Sequence, residues 1–378
     1  MISRKLQQPL TQHLAEGKAL IVYGARQVGK TTMINEVLAH RDDVLRLNGD
    51  ASDVRALLAE VTPTRWRQLL GPRKVLFLDE AQRIEDIGVK LKLVTDELPD
   101  ITIIASGSSS FELANRINEP LTGRKWEFCL TPFSFQELVW HHGLLEERRN
   151  LAQRLVYGSY PEIVTHQDQA QELLRELASS YLYRDVLSGS QIRKQEKLET
   201  LVQALALQVG AQVSFNELAQ LCGLDGKTVE TYIAILEQAF IVFRLPSFSR
   251  NLRNELKFSR KVYFYDNGVR NAVLGSFAPL ETRSDTGKLW ENYLVSERRK
   301  NNLNDRSFAK GYFWRTTQQQ EIDYIEENDG ALSAFEFKWN PRTRVKQHKS
   351  FKEAYQLSSV PLITPDNYDD FLMPASEG

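Results

Sequence analysis

Gly24-Ala25-Arg26-Gln27-Val28-Gly29-Lys30-Thr31 follows the short apolar run Ala19 to Tyr23 and opens a segment of helical spacing, Lys30 to Ala39. Two glycines followed by Lys and a hydroxyl residue form the pattern of a loop that wraps phosphates. The glycines let the backbone curl so that successive N–H groups face inward, at the start of a helix whose dipole favours anions. Lys30 brings a charge to the β- and γ-oxygens, and the Thr31 hydroxyl is a ligand for Mg²⁺. Gly24, Gln27, Val28, Gly29, Lys30, Thr31 and Thr32 are the expected nucleotide contacts, with ATP and Mg²⁺ as the expected cofactors.

Outward from this loop, the runs Val44 to Leu47, Val75 to Leu78, Ile101 to Ala105 and Trp126 to Leu130 alternate with helical stretches. Such alternation predicts an α/β domain, a parallel sheet covered by helices. The run Val75 to Leu78 delivers Asp79 and Glu80 to a strand's carboxyl end, where ligands bind in open α/β sheets. Asp79 is expected to hold Mg²⁺ through water, and Glu80 to orient and polarise the attacking water. The bland reading of Glu80 is a solvated acid. Ile103 to Ser110 is a strand ending in hydroxyls, among which Ser108 is expected to sense the γ-phosphate. Arg124, in Leu121-Thr122-Gly123-Arg124, is either an arginine finger, within the chain or across a subunit boundary, or a surface arginine in a salt bridge.

The chain of 378 residues is too long for one ordinary core, and its 42% hydrophobic and 26% charged residues match a soluble globular protein. No apolar run approaches the ~20 residues needed to cross a bilayer. The opening residues have no apolar signal core, so no membrane association and a cytoplasmic location are expected. A net charge of −1 excludes a polyelectrolyte binder, so any nucleic-acid contact has to come from local patches. Cys129 and Cys222 stand far apart without metal spacing and read as small buried hydrophobes.

The pattern changes near Glu146. Leu151, Leu155, Leu173, Leu174, Leu177, Leu198, Leu201 and Leu205 recur at helical spacing. From Val213 to Cys222 a helix is expected, with Ser214 as N-cap and Glu217 three residues on. Gly223 to Gly226 is a turn, Lys227 to Ala239 a second helix, and Phe240 to Leu245 a strand. Two short helices across a tight turn, then a strand, spell a winged helix-turn-helix over about 197–245. The second helix offers Lys227, Thr228, Glu230 and Thr231, a poor phosphate footprint. The basic segment 250–261, with Arg250, Arg253, Lys257, Arg260 and Lys261, is the better candidate for DNA contact. The competing reading is an inter-domain spacer with a solvated basic run.

The last part carries a helix from Gly287 to about Lys300, with Glu291, and strands bearing Asp323, Glu336 and Lys338. Strand alternation puts Glu336 and Lys338 on one face and Phe335, Phe337 and Trp339 on the other. Metal-dependent phosphodiester cleavage needs such a set: carboxylates for the metal and a lysine for water. A half-buried edge strand shows the same alternation.

These residues resemble a group of bacterial and archaeal AAA-type ATPases whose C-terminal half is a domain of unknown function with a nuclease-like fold. The likeness runs through 24–32, 78–82, 107–110, 121–124, Leu130 to Leu138, and Gly158-Ser159-Tyr160-Pro161-Glu162, where Ser159 replaces a glycine. The resemblance implies a P-loop ATPase core, a helix-turn-helix module and a domain similar to restriction-type nucleases. It would make Asp323 and Glu336 metal ligands, Glu291 the helix acid that joins them, and Lys338 the water-positioning catalytic group. The expected domains are 1–145, 146–248 and 249–378. ATP hydrolysis coupled to DNA binding is the favoured function, with cleavage by the last domain and a homo-oligomer as further expectations. A nucleotide-driven switch that binds a protein partner is the alternative.

Overall fold

In the computed structural model, which describes residues 2–108, 121–180, 195–249, 260–316, 320–343 and 349–373, the N-terminal apolar runs form one parallel sheet. Its strands are β1 (Ala19–Gly24), β2 (Val44–Asn48), β3 (Val75–Asp79), β4 (Thr102–Gly107) and β5 (Lys125–Leu130), in the order β2-β3-β4-β1-β5. All four pairings are parallel, with Asn48 opposite Asp79, Tyr23 opposite Gly107 and Gly24 opposite Leu130. Parallel strands need crossover segments, and crossovers cover the sheet, so its strands are apolar almost throughout. Ile21, Leu76, Leu78, Ile103 and Ala105 pack with Trp66, Leu70, Leu91 and Val94 from the crossover helices. Parallelism brings the carboxyl ends of β1, β3 and β4 to one edge, and that edge carries the nucleotide motifs.

The chain divides into two compact units. One runs through Pro132 and includes Gln238–Phe240; the other begins at Phe133 and holds the rest. By compactness the first break falls at Pro132, and the residues of the expected helical and C-terminal regions lie in one unit. Buried polar contacts explain this. The Phe135 amide donates to Glu297 Oε2 at 2.7 Å, and Lys300 Nζ donates to the Phe133 carbonyl at 3.1 Å and to Ser159 Oγ at 2.9 Å. The helix expected from Phe133 starts instead at Phe135, because Ser134 caps it in a reciprocal box with Glu137.

In the second unit, the helix Gln195–Leu207 leads to β6 (Gln212–Val213), the helices Phe215–Cys222 and Gly226–Gln238, β7 (Val242–Pro246) and β8 (Arg260–Phe264). These strands form an antiparallel sheet in the order β6-β8-β7. Val213 belongs to β6, not to the following helix. Ser214 caps that helix by accepting from the Glu217 amide, and Gly223 ends it in the left-handed region. A second sheet, ordered β12-β11-β10-β9, comprises β9 (Lys310–Arg315), β10 (Glu321–Asn328), β11 (Ala331–Phe337) and β12 (Leu362–Ile363). The long helix Thr286–Asn304 belongs to the same unit. β11 lies between β10 and β12 and is not an edge strand. Among the described residues no helix is long and apolar enough to cross a membrane.

Candidate active site

The phosphate loop joins β1 to the helix Lys30–Val37. Gly24 is required by proximity: a Cβ there would lie 1.9 Å from the Leu130 carbonyl oxygen. Gln27 and Gly29 adopt φ of 59° and 89°. Left-handed residues within the loop turn successive amides toward one side, the geometry of an anion nest. Val28 is fully buried and anchors the loop, whereas Thr31 and Thr32 are exposed at the mouth of the helix.

Lys30 is 6% exposed. Its ammonium donates to the carbonyls of Gly24 at 3.0 Å and Ala25 at 2.7 Å. Burial pulls its pKa down to about 8, against the opposing pull of the Glu80 and Asp79 carboxylates. Thr31 Oγ1 donates to Asp79 Oδ2 at 2.9 Å, and Ser106 Oγ donates to the other Asp79 oxygen. A hydroxyl beside a hydrogen-bonded carboxylate is a hard oxygen set of the kind Mg²⁺ takes, so Thr31 and Asp79 fit the ion.

Glu80 follows Asp79 with φ 47°, a conformation that costs free energy and clusters at functional sites. Its Oε2 accepts from Gln82 Nε2 at 2.5 Å, and the same amide reaches Ser108 Oγ at 3.2 Å. Gln82 is nearly buried. Thus Lys30, Thr31, Asp79, Glu80 and Ser108 converge. Sequence reasoning passed over Ser106 and Gln82. Both stood inside quoted motifs, but only the register of β4 beside β3 identifies which hydroxyl faces Asp79.

Arg124 does not join them. Its carbonyl accepts from the Ala19 amide at 2.9 Å, at the amino end of β1. The phosphate loop lies the full length of that strand away, about 17 Å. Its guanidinium meets Asp96 at 2.6 Å. Within its own chain Arg124 is a surface ion-pair partner, not an arginine finger.

In the second unit, Asp323 and Glu336 sit on neighbouring strands, one step along from the pair Tyr324 and Phe335. Asp323 Oδ2 accepts from the Phe337 amide at 2.8 Å. Lys338 Nζ lies 3.2 Å from carboxylate oxygens of both Asp323 and Glu336. Burial, reinforced by Asp323, pushes Glu336 up to about 7. Glu336 and Phe337 are buried on opposite faces, while Phe335, Lys338 and Trp339 are half-buried; the edge-strand reading fails because β11 lies between β10 and β12. Glu291 belongs to the same charged cluster, since it and Lys261 both interact with Asp323, and its Oε1 accepts from Lys261 Nζ at 2.9 Å and from the Tyr263 hydroxyl at 2.7 Å. Its pKa is raised by burial, against the pull of Lys261. Among the described residues no group of three or more His, Cys, Asp or Glu is arranged to hold a metal ion. In this structure lysines neutralise the expected trio: Lys261 pairs with Glu291, and Lys338 with both Asp323 and Glu336.

The basic segment fares similarly. Residues 250–259, including Arg250, Arg253 and Lys257, lie outside the described residues. Lys261 is 1% exposed and bonds Glu321 at 2.6 Å as well as Glu291, so it is not a surface contact for DNA. Arg260 Nη1 meets Glu230 Oε1 at 3.4 Å. Lys227, Glu230 and Thr231 are exposed on the helix Gly226–Gln238, and Thr228 bonds Asp225. Cys129 and Cys222 are buried free thiols.

The five-stranded parallel sheet and the loop between β1 and its helix have the fold of a P-loop ATPase core. Residues 16–139 match a family described as an AAA domain. Residues 148–280 and 286–368 match two domains of unknown function, DUF8612 and DUF4143. The chain is 23% identical to uncharacterized protein MJ1544 of Methanocaldococcus jannaschii, covering 90% of this chain and 79% of that protein. It is 26% identical to uncharacterized protein Rv2008c of Mycobacterium tuberculosis, covering 95% and 79%. Among solved structures, the Walker-type ATPase PABY2304 of Pyrococcus abyssi aligns over 72% of this chain and 96% of its own, with a TM-score of 0.50 and 14% identity. That likeness supports the fold.

Proposed function

We propose that this protein binds and hydrolyses ATP at the loop Gly24–Thr31 and uses the cycle to govern DNA binding by its second unit. The observation that carries the ATPase reading is the meeting of Thr31 and Asp79 at 2.9 Å beside a buried Lys30. Lys30 exchanges its two carbonyl partners for phosphate oxygens. Thr31 and Asp79 would hold Mg²⁺, which would supply Lewis-acid stabilisation of phosphate charge. Glu80 orients the attacking water and accepts its proton. Gln82, bonded to both Glu80 and Ser108, fixes the direction of that carboxylate and ties it to the end of β4.

DNA is the proposed partner because the order helix, β6, helix, helix, β7, β8, with β8 between β6 and β7, fits a winged helix, whose second helix of the pair enters a major groove. In the sequence, Arg250, Arg253 and Lys257 fall between β7 and β8. The test is the ATPase rate with and without duplex DNA across a salt series. Stimulation that weakens steeply with salt is expected; a rate indifferent to DNA contradicts the reading.

A second reading, a nucleotide-driven switch for a protein partner, is favoured by one observation: Lys261 and Lys338 neutralise the acids of the nuclease-like region. The ATPase response to DNA separates the two, and incubating the protein with DNA and Mn²⁺ tests the nuclease-like region by itself. Cleavage that disappears in Asp323→Ala, with hydrolysis of ATP retained, supports a nuclease; intact DNA contradicts one.

A further inference from the structure

Arg4 lies outside every recognised motif, yet its side chain is bound into the nucleotide site. It is 6% exposed, and the surrounding N-terminal segment is pinned by the buried Leu6 and Leu10. One guanidinium nitrogen, Nη1, donates to the Val28 carbonyl at 2.7 Å. The other, Nη2, donates to the Thr131 carbonyl at 2.5 Å. Val28 is the residue before Gly29 of the phosphate loop. Thr131 follows β5, whose last residue pairs with Gly24 at the loop's start.

The geometry of a peptide gives these bonds a consequence. The described residues contain no cis peptide bonds, so the C=O of Val28 and the N–H of Gly29 point in opposite directions across one plane. A guanidinium holding the carbonyl on the outer side of the loop keeps the Gly29 N–H on the inner, concave side, where phosphate oxygens bind. The bond is charge-assisted, and hydrogen-bonded chains polarise one another. The cation therefore also strengthens the amide as a donor. Gly29 has φ 89° and no side chain, so Gly29 itself places little restriction on that peptide.

We propose that Arg4 is a positioning residue for the phosphate loop, locking the Val28–Gly29 peptide in its phosphate-binding orientation and tying it to the end of β5. This rests on the ATP reading of the loop and extends it to a residue some two dozen positions upstream. Lys30 and the backbone amides contact the phosphates; Arg4 acts through one of those amides.

The experiment is equilibrium binding of Mg²⁺-ATP and of inorganic tripolyphosphate to wild type, Arg4→Met and Arg4→Lys, each checked for folding by thermal melting. Arg4→Met keeps a long apolar stem without donors and is expected to weaken both ligands by the same factor, about tenfold or more. Arg4→Lys keeps a cation within reach of the Val28 carbonyl and is expected to recover most of that loss. Folded Arg4→Met with wild-type affinity, or Arg4→Lys as impaired as Arg4→Met, overturns the proposal while leaving the ATP site intact. Loss for ATP but not for tripolyphosphate also overturns it, because the effect then lies outside the phosphate loop. Failure of wild type to bind either ligand overturns the ATP reading itself, and this proposal with it.

Discussion

The hydroxyl of Thr31 and the carboxylate of Asp79 meet at 2.9 Å across 48 residues of sequence. One opens the helix after β1 and the other ends β3, two strands that are not neighbours. β4, which separates them in the sheet, contributes Ser106 to the same carboxylate. The site is thus a product of parallel strand order, which gathers three carboxyl ends at one edge.

Lys30 makes nucleotide binding pH-dependent. In the free protein its pKa is lowered to about 8, so from about pH 8 to its ordinary value the folded state binds fewer protons than the unfolded chain. The free protein's stability therefore gains from Lys30 as pH rises through that window. Phosphate charge reverses the preference and favours the ammonium. Binding at pH 8.5 is expected to take up a proton, and affinity is expected to fall as pH rises further. Calorimetry in buffers of different ionisation enthalpy reads the uptake, and Lys30→Met should abolish it.

Glu80→Gln should bind ATP and hydrolyse it slowly, with a loss of about 10²–10⁴ in kcat, the usual contribution of a positioned general base. Gln82→Ala removes the amide that holds Glu80 and should lower kcat less, with KM nearly unchanged. A Glu80→Gln enzyme at wild-type rate would return this residue to the role of a solvated acid.

Arg124→Ala tests placement. The side chain belongs to the opposite edge of the sheet and pairs with Asp96 on the surface, so kcat of the dilute protein should not change. Stability should fall by less than about 1 kcal/mol, as for exposed ion pairs. A loss of rate that appears only at high protein concentration would reveal action across a subunit boundary.

Lys261→Met leaves Glu291 and Glu321, both partly exposed, without the buried cation they share. Breaking a fully buried pair costs about 3–5 kcal/mol, and the partial exposure of these carboxylates places the expected loss below that. Urea denaturation followed by tryptophan fluorescence should show the loss. ATP affinity should hold in the folded protein, because Lys261 belongs to the other unit.

Much of the first unit was legible because its signals are local. Strand, loop, helix and acidic pair each declare themselves within a few residues, and apolar runs flanked by helices imply parallel pairing. Pairing partners in space were not legible. Asp96 waits on another helix for Arg124, Lys261 reaches Glu291 and Glu321 through the fold, and the hydroxyl chosen by Asp79 depends on β4 register. The period-two pattern around Glu336 correctly separated two faces, yet alternation cannot tell a solvated face from a buried one. Arg4 gave no signal at all, since a lone arginine near an N-terminus looks like any surface charge.

The most direct test is calorimetric titration of Mg²⁺-ATP into wild type and Lys30→Ala. The account predicts saturable one-site binding by wild type, with loss on removing Mg²⁺ and on substituting Lys30. Folded wild-type protein that takes up no ATP with the metal present, or Lys30→Ala that binds it equally well, would contradict the account.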